Sequence, residues 1–299
     1  MQKEYLFVII TGILSGFLVF GGQIFFNLGL SLFQFSLITQ LLVIIILLPF
    51  VLFNKNLRPK KWLSWLMILY GLGTAVTVFS QYGAIILGVP VAIVVLLLYT
   101  QPLWTIIIGE LFLKEKLTKI KIIACILVLI GMVILVNPFN AGQIKSWIGV
   151  IIALIGGIGL SSWVVLGSVI SKRKSPPITI KFLNATLTTF FFLLFYPLLL
   201  IFTKNPSIVN FSFNFSLSIW FYLILFSLFL EVISHILYYK GTKKVSTVDA
   251  GIILLLEPVV GSILATIFLN QALTINIIIG GILILIANYL VIKTSTISS

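Results

Sequence analysis

Glu231 and His235 stand four residues apart inside a long apolar stretch, so on a helix both side chains lie on one face. A carboxylate and an imidazole at that spacing can relay a proton or attract a cationic solute. An ionisable group at membrane depth is costly and is a functional candidate by default. The plainer alternative is that the two side chains bond each other and have no further role. Glu257 precedes Pro258, and Gln101 precedes Pro102. Proline removes a backbone donor and kinks a helix, so Pro102 and Pro258 are candidate hinges, each beside a polar side chain. Neither Glu231 nor Glu257 has a basic residue within one turn. Each must find a partner across the chain, line a wet cavity or take up a proton.

The other acids have local explanations. Glu4 and Glu115 lie beside lysines, Asp249 complements a helix N-terminus, and Glu110 can pair with Lys114 one turn later. A single cysteine, Cys125, allows no internal disulfide, and with one histidine in the chain no metal site is expected. No cofactor is expected either. An intramembrane enzyme would rest on Glu231 and His235 alone, with no second histidine and no clear nucleophile beside them.

The elements that must position these residues follow from composition. The chain has 299 residues, 61% hydrophobic and 8% charged, with a mean hydropathy of +1.27. A soluble domain carries about 25% charged residues, so this is a polytopic membrane protein of the all-α class. A span needs about 20 apolar residues, and ten candidates fall at about 5–27, 31–53, 62–86, 90–112, 119–136, 147–170, 179–202, 217–239, 246–269 and 274–292. Little is left over for soluble domains. Lys3 before the first apolar run resembles a signal peptide, but the run is too long for one and reads as a retained helix.

With the N-terminus in the cytoplasm, all of the 19 basic residues except Lys145 and Lys204 fall in cytoplasmic loops. That tally includes Lys60, Lys61, Lys114, Lys116, Lys174 and Lys181. The positive-inside rule then expects both termini in the cytoplasm, with the protein in the cytoplasmic membrane. The net charge of +13 is spread over these short loops, which argues against nucleic-acid binding and leaves weak contact with anionic lipid headgroups.

Residues 82–136 repeat without a gap at 238–292: Tyr82 falls on Tyr238, Gln101-Pro102 on Glu257-Pro258, and Leu117-Thr118 on Leu273-Thr274. Two halves, 1–138 and 139–299, each hold five spans, an odd number, so the second enters the membrane the other way up. The charges agree, because Lys114-Glu115-Lys116 aligns with uncharged Asn270-Gln271-Ala272. An inverted repeat with broken helices at matched points places a solute site where the halves meet.

Around that site, Glu257, Gln101, Tyr82, Tyr238, Tyr99, Trp163 and Gln23 are the expected solute contacts, and Glu231 with His235 the expected proton carriers. Trp104 joins the aromatics that can face a cation through their rings. Gln40 and Asn184 are read as bridges between helices, a common use of polar residues in membranes. The glycines of span one, Gly12 and Gly16, and of span six, Gly156, Gly157 and Gly159, let backbones approach and slide.

The stretch Val89 to Val136, with Gln101-Pro102-Leu103-Trp104, Gly109-Glu110 and Leu117, resembles the end of an EamA domain. So does Val245-Ser246-Thr247 through Glu257-Pro258-Val259-Val260 to Val291. Together they make the whole chain similar to the EamA family of the drug/metabolite transporter superfamily. The Glu257-Pro258 segment with its following aliphatic helix is the specific part, and the remainder is a hydropathy pattern. The resemblance implies a ten-helix basket with a central cavity and alternating access. Members move amino acids, other small metabolites, drugs or quaternary amines, so the family does not name a solute. Glu231 and His235 lie outside the family pattern and would supply this chain's own selectivity.

The expectation is a secondary transporter exporting a small polar metabolite, an amino acid or related compound, with proton coupling, as a monomer or homodimer. Uptake of an organic cation, a quaternary amine or polyamine, is the alternative.

Overall fold

Ten helices long and apolar enough to cross a membrane account for most of the described chain. The computed structural model describes residues 3–59, 64–115, 117–140, 142–173, 175–269 and 272–297. In order the spans are Lys3–Asn27, Leu32–Phe53, Trp65–Ile86, Val91–Leu113, Lys119–Val136, Trp147–Lys172, Pro177–Phe202, Leu217–Gly241, Thr247–Phe268 and Ile275–Thr294. Lys60, Lys61, Lys116, Lys174, Asn270 and Gln271, used above to orient the chain, lie outside the described residues.

In lipid every backbone group must be satisfied within the protein, and the helix starts show how. Ser31, Ser64, Thr118, Ser146 and Ser246 each accept the amide of the residue three positions on, capping spans two, three, five, six and nine. Outward-facing side chains such as Ile45, Phe50, Leu111, Phe112 and Ile201 are apolar and exposed, as a lipid-facing surface requires.

Spans four and nine are both broken. Span four is helical over Val91–Leu98 and again over Gln101–Leu113, and span nine over Thr247–Ile253 and Leu256–Phe268. Pro102 and Pro258 stand in the first turn of the second segments, where they cannot donate to a carbonyl one turn back. The breaks fall at matched points of the two halves.

The packing is crossed between the halves. Span one packs on spans eight and nine, span six packs on spans three and four, and span five packs on span ten. Small residues make the closest approaches. A Cβ on Gly280 would lie 2.5 Å from Gly131 O, so spans five and ten touch through their backbones. At the breaks, a Cβ on Gly16 would meet Glu257 O and one on Gly157 would meet Leu97 O. Each half thus lays a glycine of its first span against the broken span of the other.

Span eight is not a plain α-helix. It widens into a π-helical turn over Ser227–Ile233 and returns to α-helix at Ser234. Such turns carry an extra residue and re-aim the side chains within them. Glu231 is one of these residues.

Candidate functional site

A cavity of about 250 Å³ lies within the bundle between the halves. That is just below the usual range for ligand pockets, about 300–1,000 Å³, and suits a small solute. Side chains from spans one, two, three, four, six, seven, eight and nine line it, while spans five and ten stay outside. Its wall is mainly apolar, with Gln40, Gln101, Lys181, Glu231, His235 and Glu257 among the polar exceptions.

Lys181 holds the centre of the charge arrangement. Counted above as a loop lysine, it lies inside the seventh span and is 1% exposed. Its Nζ donates to Glu231 Oε2 at 2.7 Å. Gln40 Nε2 donates to the same oxygen at 3.4 Å. His235 Nδ1 stands 3.9 Å from it, an ion-pair contact one turn along the helix that is too long for a hydrogen bond, so the pairing of the plainer alternative is present but secondary. The partner of Glu231 is the lysine across the bundle. One signal could have revealed it: a lone lysine in an apolar helix with no acid within a turn.

Glu257 lies beyond the break in span nine and also lines the cavity. It accepts the Tyr99 hydroxyl at 2.8 Å, and Tyr99 sits in the matched break of span four. The two halves therefore touch at their weakest helical points through one hydrogen bond. Gln101 lines the cavity and donates to Thr105 Oγ1, which bonds Ser161 Oγ at 2.9 Å. Trp163 lines it too, stacked on Tyr238 at 5.0 Å and edge-on to His235 at 5.4 Å.

Three expected solute contacts are placed elsewhere. Tyr82 is buried beside the start of span two, donating to Leu32 O at 2.8 Å with Ser36 Oγ at 2.6 Å. Tyr238 is fully buried behind Trp163 and donates to Val164 O at 2.6 Å. Gln23 bonds Asn27 Oδ1 at 3.0 Å within span one. None of the three lines the cavity. A residue's matched position in a repeat gives its depth, but its rotation about the helix axis depends on the neighbours. Gln40 and Asn184 bridge helices as expected, Gln40 to Glu231 of span eight and Asn184 Nδ2 to Thr74 Oγ1 of span three at 3.3 Å, and both also line the cavity. Trp104 donates to Thr100 Oγ1 within its own span and stays out of the lining.

The acids given local explanations form a layer at the face where the described chain begins and ends. Glu4 pairs with Lys244 at 2.9 Å. Asp249 pairs with Lys121 at 2.9 Å and accepts the Tyr5 hydroxyl at 2.8 Å. Glu115 reaches across the halves to accept the amides of Thr247 at 3.0 Å and Val248 at 3.3 Å, with Lys172 at 3.4 Å. Burial pushes the Glu115 carboxyl up, but the Thr247 and Val248 hydrogen bonds and Lys172 outweigh that and hold it below the ordinary carboxylate value. The expected pair between Glu110 and Lys114 is absent among the described residues. Lys114 has a φ of 53° at the end of the helix, which turns its side chain off the helical face that Glu110 shares.

Comparison with known proteins agrees with this architecture. The model of the EamA-like transporter family matches residues 2–137 and 147–293. An uncharacterized transporter of Clostridium kluyveri is 27% identical, covering 96% of this chain and 92% of its own. One from Archaeoglobus fulgidus is 26% identical over 80% of this chain and 78% of its own. A solved crystal structure superposes with a TM-score of 0.77 at 18% identity, covering 96% of this chain and 95% of the other, a likeness of fold. The matched residues run through both halves, with the cavity between them, and the chain belongs to the EamA-like transporter family.

Proposed function

We propose that the protein exports small polar metabolites, amino acids or related compounds, by alternating access coupled to protons. The observation that carries this reading is the cavity between the halves, where Lys181, Glu231, His235 and Glu257 stand among apolar side chains and neutral polar ones such as Gln40, Gln101 and Asn184. Charges at membrane depth mark solute and ion pathways. Gln101, Tyr99, Trp163 and Glu257 are the solute contacts of this reading, and Glu231 with His235 carries the proton. Tyr82 and Tyr238 act one layer out, supporting the helices that line the cavity.

Alternating access needs a layer that opens and hinges that bend. The face layer of Glu4, Glu115 and Asp249 joins the two halves and must part for a solute to enter or leave there. Its lysines belong to the basic loops that the positive-inside rule assigns to the cytoplasm. In this orientation the layer is the cytoplasmic gate, and Pro102 and Pro258 are the hinges. Uptake of an organic cation is the second reading, favoured by Glu257, whose only hydrogen-bond partner among the described residues is a neutral phenol.

Purified protein in proteoliposomes tests the proposal. Vesicles loaded with labelled leucine or alanine should lose label faster than protein-free vesicles, and faster again under a proton gradient of opposite direction. His235→Gln should blunt the gradient response, read as the ratio of flux with the gradient to flux without it. A full gradient response in both His235→Gln and Glu231→Gln would remove the proton role. Flux of quaternary amines in place of amino acids would favour the second reading.

A further inference from the structure

The Lys181–Glu231 pair has bonding capacity to spare on both sides. An ammonium carries three N–H donors, and among the described residues Lys181 Nζ has one acceptor, Glu231 Oε2. Gln40 uses its Nε2 on Glu231, and its Oε1 is buried without a donor. His235 Nδ1, 3.9 Å from the Glu231 carboxylate, has no hydrogen-bond partner either. All four side chains line the same cavity. Unused donors on a buried cation therefore stand beside three acceptors: a carboxylate, an amide oxygen and an imidazole nitrogen.

We propose that this cluster is a binding site for a zwitterion with a free primary amine. The solute carboxylate takes the Lys181 N–H groups, and its ammonium is shared by Glu231, Gln40 Oε1 and His235 Nδ1. The inference rests on the transport reading above and adds the residues that hold the two charges of the solute, with Glu231 and His235 taking the ammonium when solute is bound and the proton when it is not. Lys181 becomes a specificity-determining residue.

Charge balance selects the class. A monoanion on Lys181 would leave two carboxylates sharing one buried cation, and a monocation on Glu231 would leave two cations sharing one buried carboxylate. A buried charge stripped of its partner is strongly unfavourable. A zwitterion adds one charge of each sign to the spare donors and acceptors and leaves the net charge of the site unchanged. Donor count selects the amine, because a primary ammonium brings three N–H groups to three acceptors and a trimethylammonium brings none. Leu18, Phe35, Val78, Leu160 and Phe192 in the remaining wall suit an apolar side chain.

The probes are leucine, leucinamide, 4-methylpentanoate and N,N,N-trimethylleucine, measured for binding to the purified full chain in detergent. Leucine should bind at least about 100-fold more tightly than its amide or its deaminated acid, the scale expected for orphaning a buried charge. Trimethylleucine should also bind more weakly than leucine. In Lys181→Gln/Glu231→Gln, which leaves no buried charge unpaired, this preference should collapse. Where that variant does not fold, Gln40→Leu carries the test: leucine should weaken about tenfold, the scale of one hydrogen bond to a charged group, with trimethylleucine unchanged. A wild type that binds leucine no better than the amide or the acid, or binds none of the four, overturns the proposal. So does a preference that survives in the double variant, or a Gln40→Leu variant that binds leucine as tightly as wild type. Leucine discrimination without leucine flux in proteoliposomes would remove the transport reading and leave the site. Flux without discrimination would do the reverse.

Discussion

Lys181 of the seventh span donates to Glu231 of the eighth across 2.7 Å, and both side chains border the central cavity. Fifty residues separate them in the chain. The bond ties the π-helical turn of span eight to its neighbour, at the point where span eight departs from regular helix.

Breaking one side of this pair should be severe. Lys181→Gln alone leaves a buried carboxylate with Gln40 as its remaining hydrogen-bond partner among the described residues, at an expected cost of about 3–5 kcal/mol. Lys181→Gln/Glu231→Gln should recover most of that loss. Thermal unfolding of both variants in detergent decides it. A double variant as unstable as the single one would mean that the pair does not act as a unit.

The gate layer should respond to pH through Glu115. Its carboxyl is held below its unfolded value, so its contribution to stability is fully present above that value, about 4.3, and is lost as pH falls through the depressed folded one. Glu115→Gln also removes a charged cap from the start of span nine, for about 0.5–2 kcal/mol. The stability difference between wild type and variant should stay flat at neutral pH and shrink only on strong acidification. A difference that instead grew as pH fell from 7 to 3 would contradict the assignment.

Spans five and ten should tolerate no side chain where they meet. Gly280→Ala places a Cβ 2.5 Å from Gly131 O, and a backbone carbonyl cannot rotate away. The helices must separate, at about 1–3 kcal/mol. Gly142→Ala is not a fair control because of its positive φ, but Gly22→Ala, facing only Phe35 at 3.4 Å, should be nearly neutral. Equal losses at Gly280 and Gly22 would argue against the close contact.

Pro258 interrupts span nine beside Glu257 and should matter for motion more than for binding. Pro258→Ala supplies the missing N–H at the break, which stiffens the segment. Leucine flux in proteoliposomes should slow while leucine binding in detergent holds. Parallel loss of both would assign Pro258 to the shape of the site.

Much of the architecture was legible from the chain alone because it rests on local properties. Ten apolar runs, the repeat of 82–136 at 238–292, and the breaks beside Pro102 and Pro258 are matters of composition, spacing and backbone chemistry. Glu231, His235 and Glu257 stood out for the same reason, since an ionisable group in an apolar run is visible without a structure.

What the chain could not reveal is which way each side chain faces. A helix that is apolar all round has no hydrophilic stripe to give its orientation away, so periodicity is silent in a membrane. Tyr82 and Tyr238 hold matched places in the two halves, yet both bond backbone carbonyls outside the cavity, while Gln40 and Asn184 turn into it. Lys181 was the largest miss, because near a span end a lysine reads as a loop charge. Sequence determined that this chain crosses the membrane as two opposed halves with charge buried between them. Tertiary structure alone decided that the buried acid of span eight has a buried base for a partner, because ion pairing across a bundle depends on distance in space and leaves no spacing in the chain.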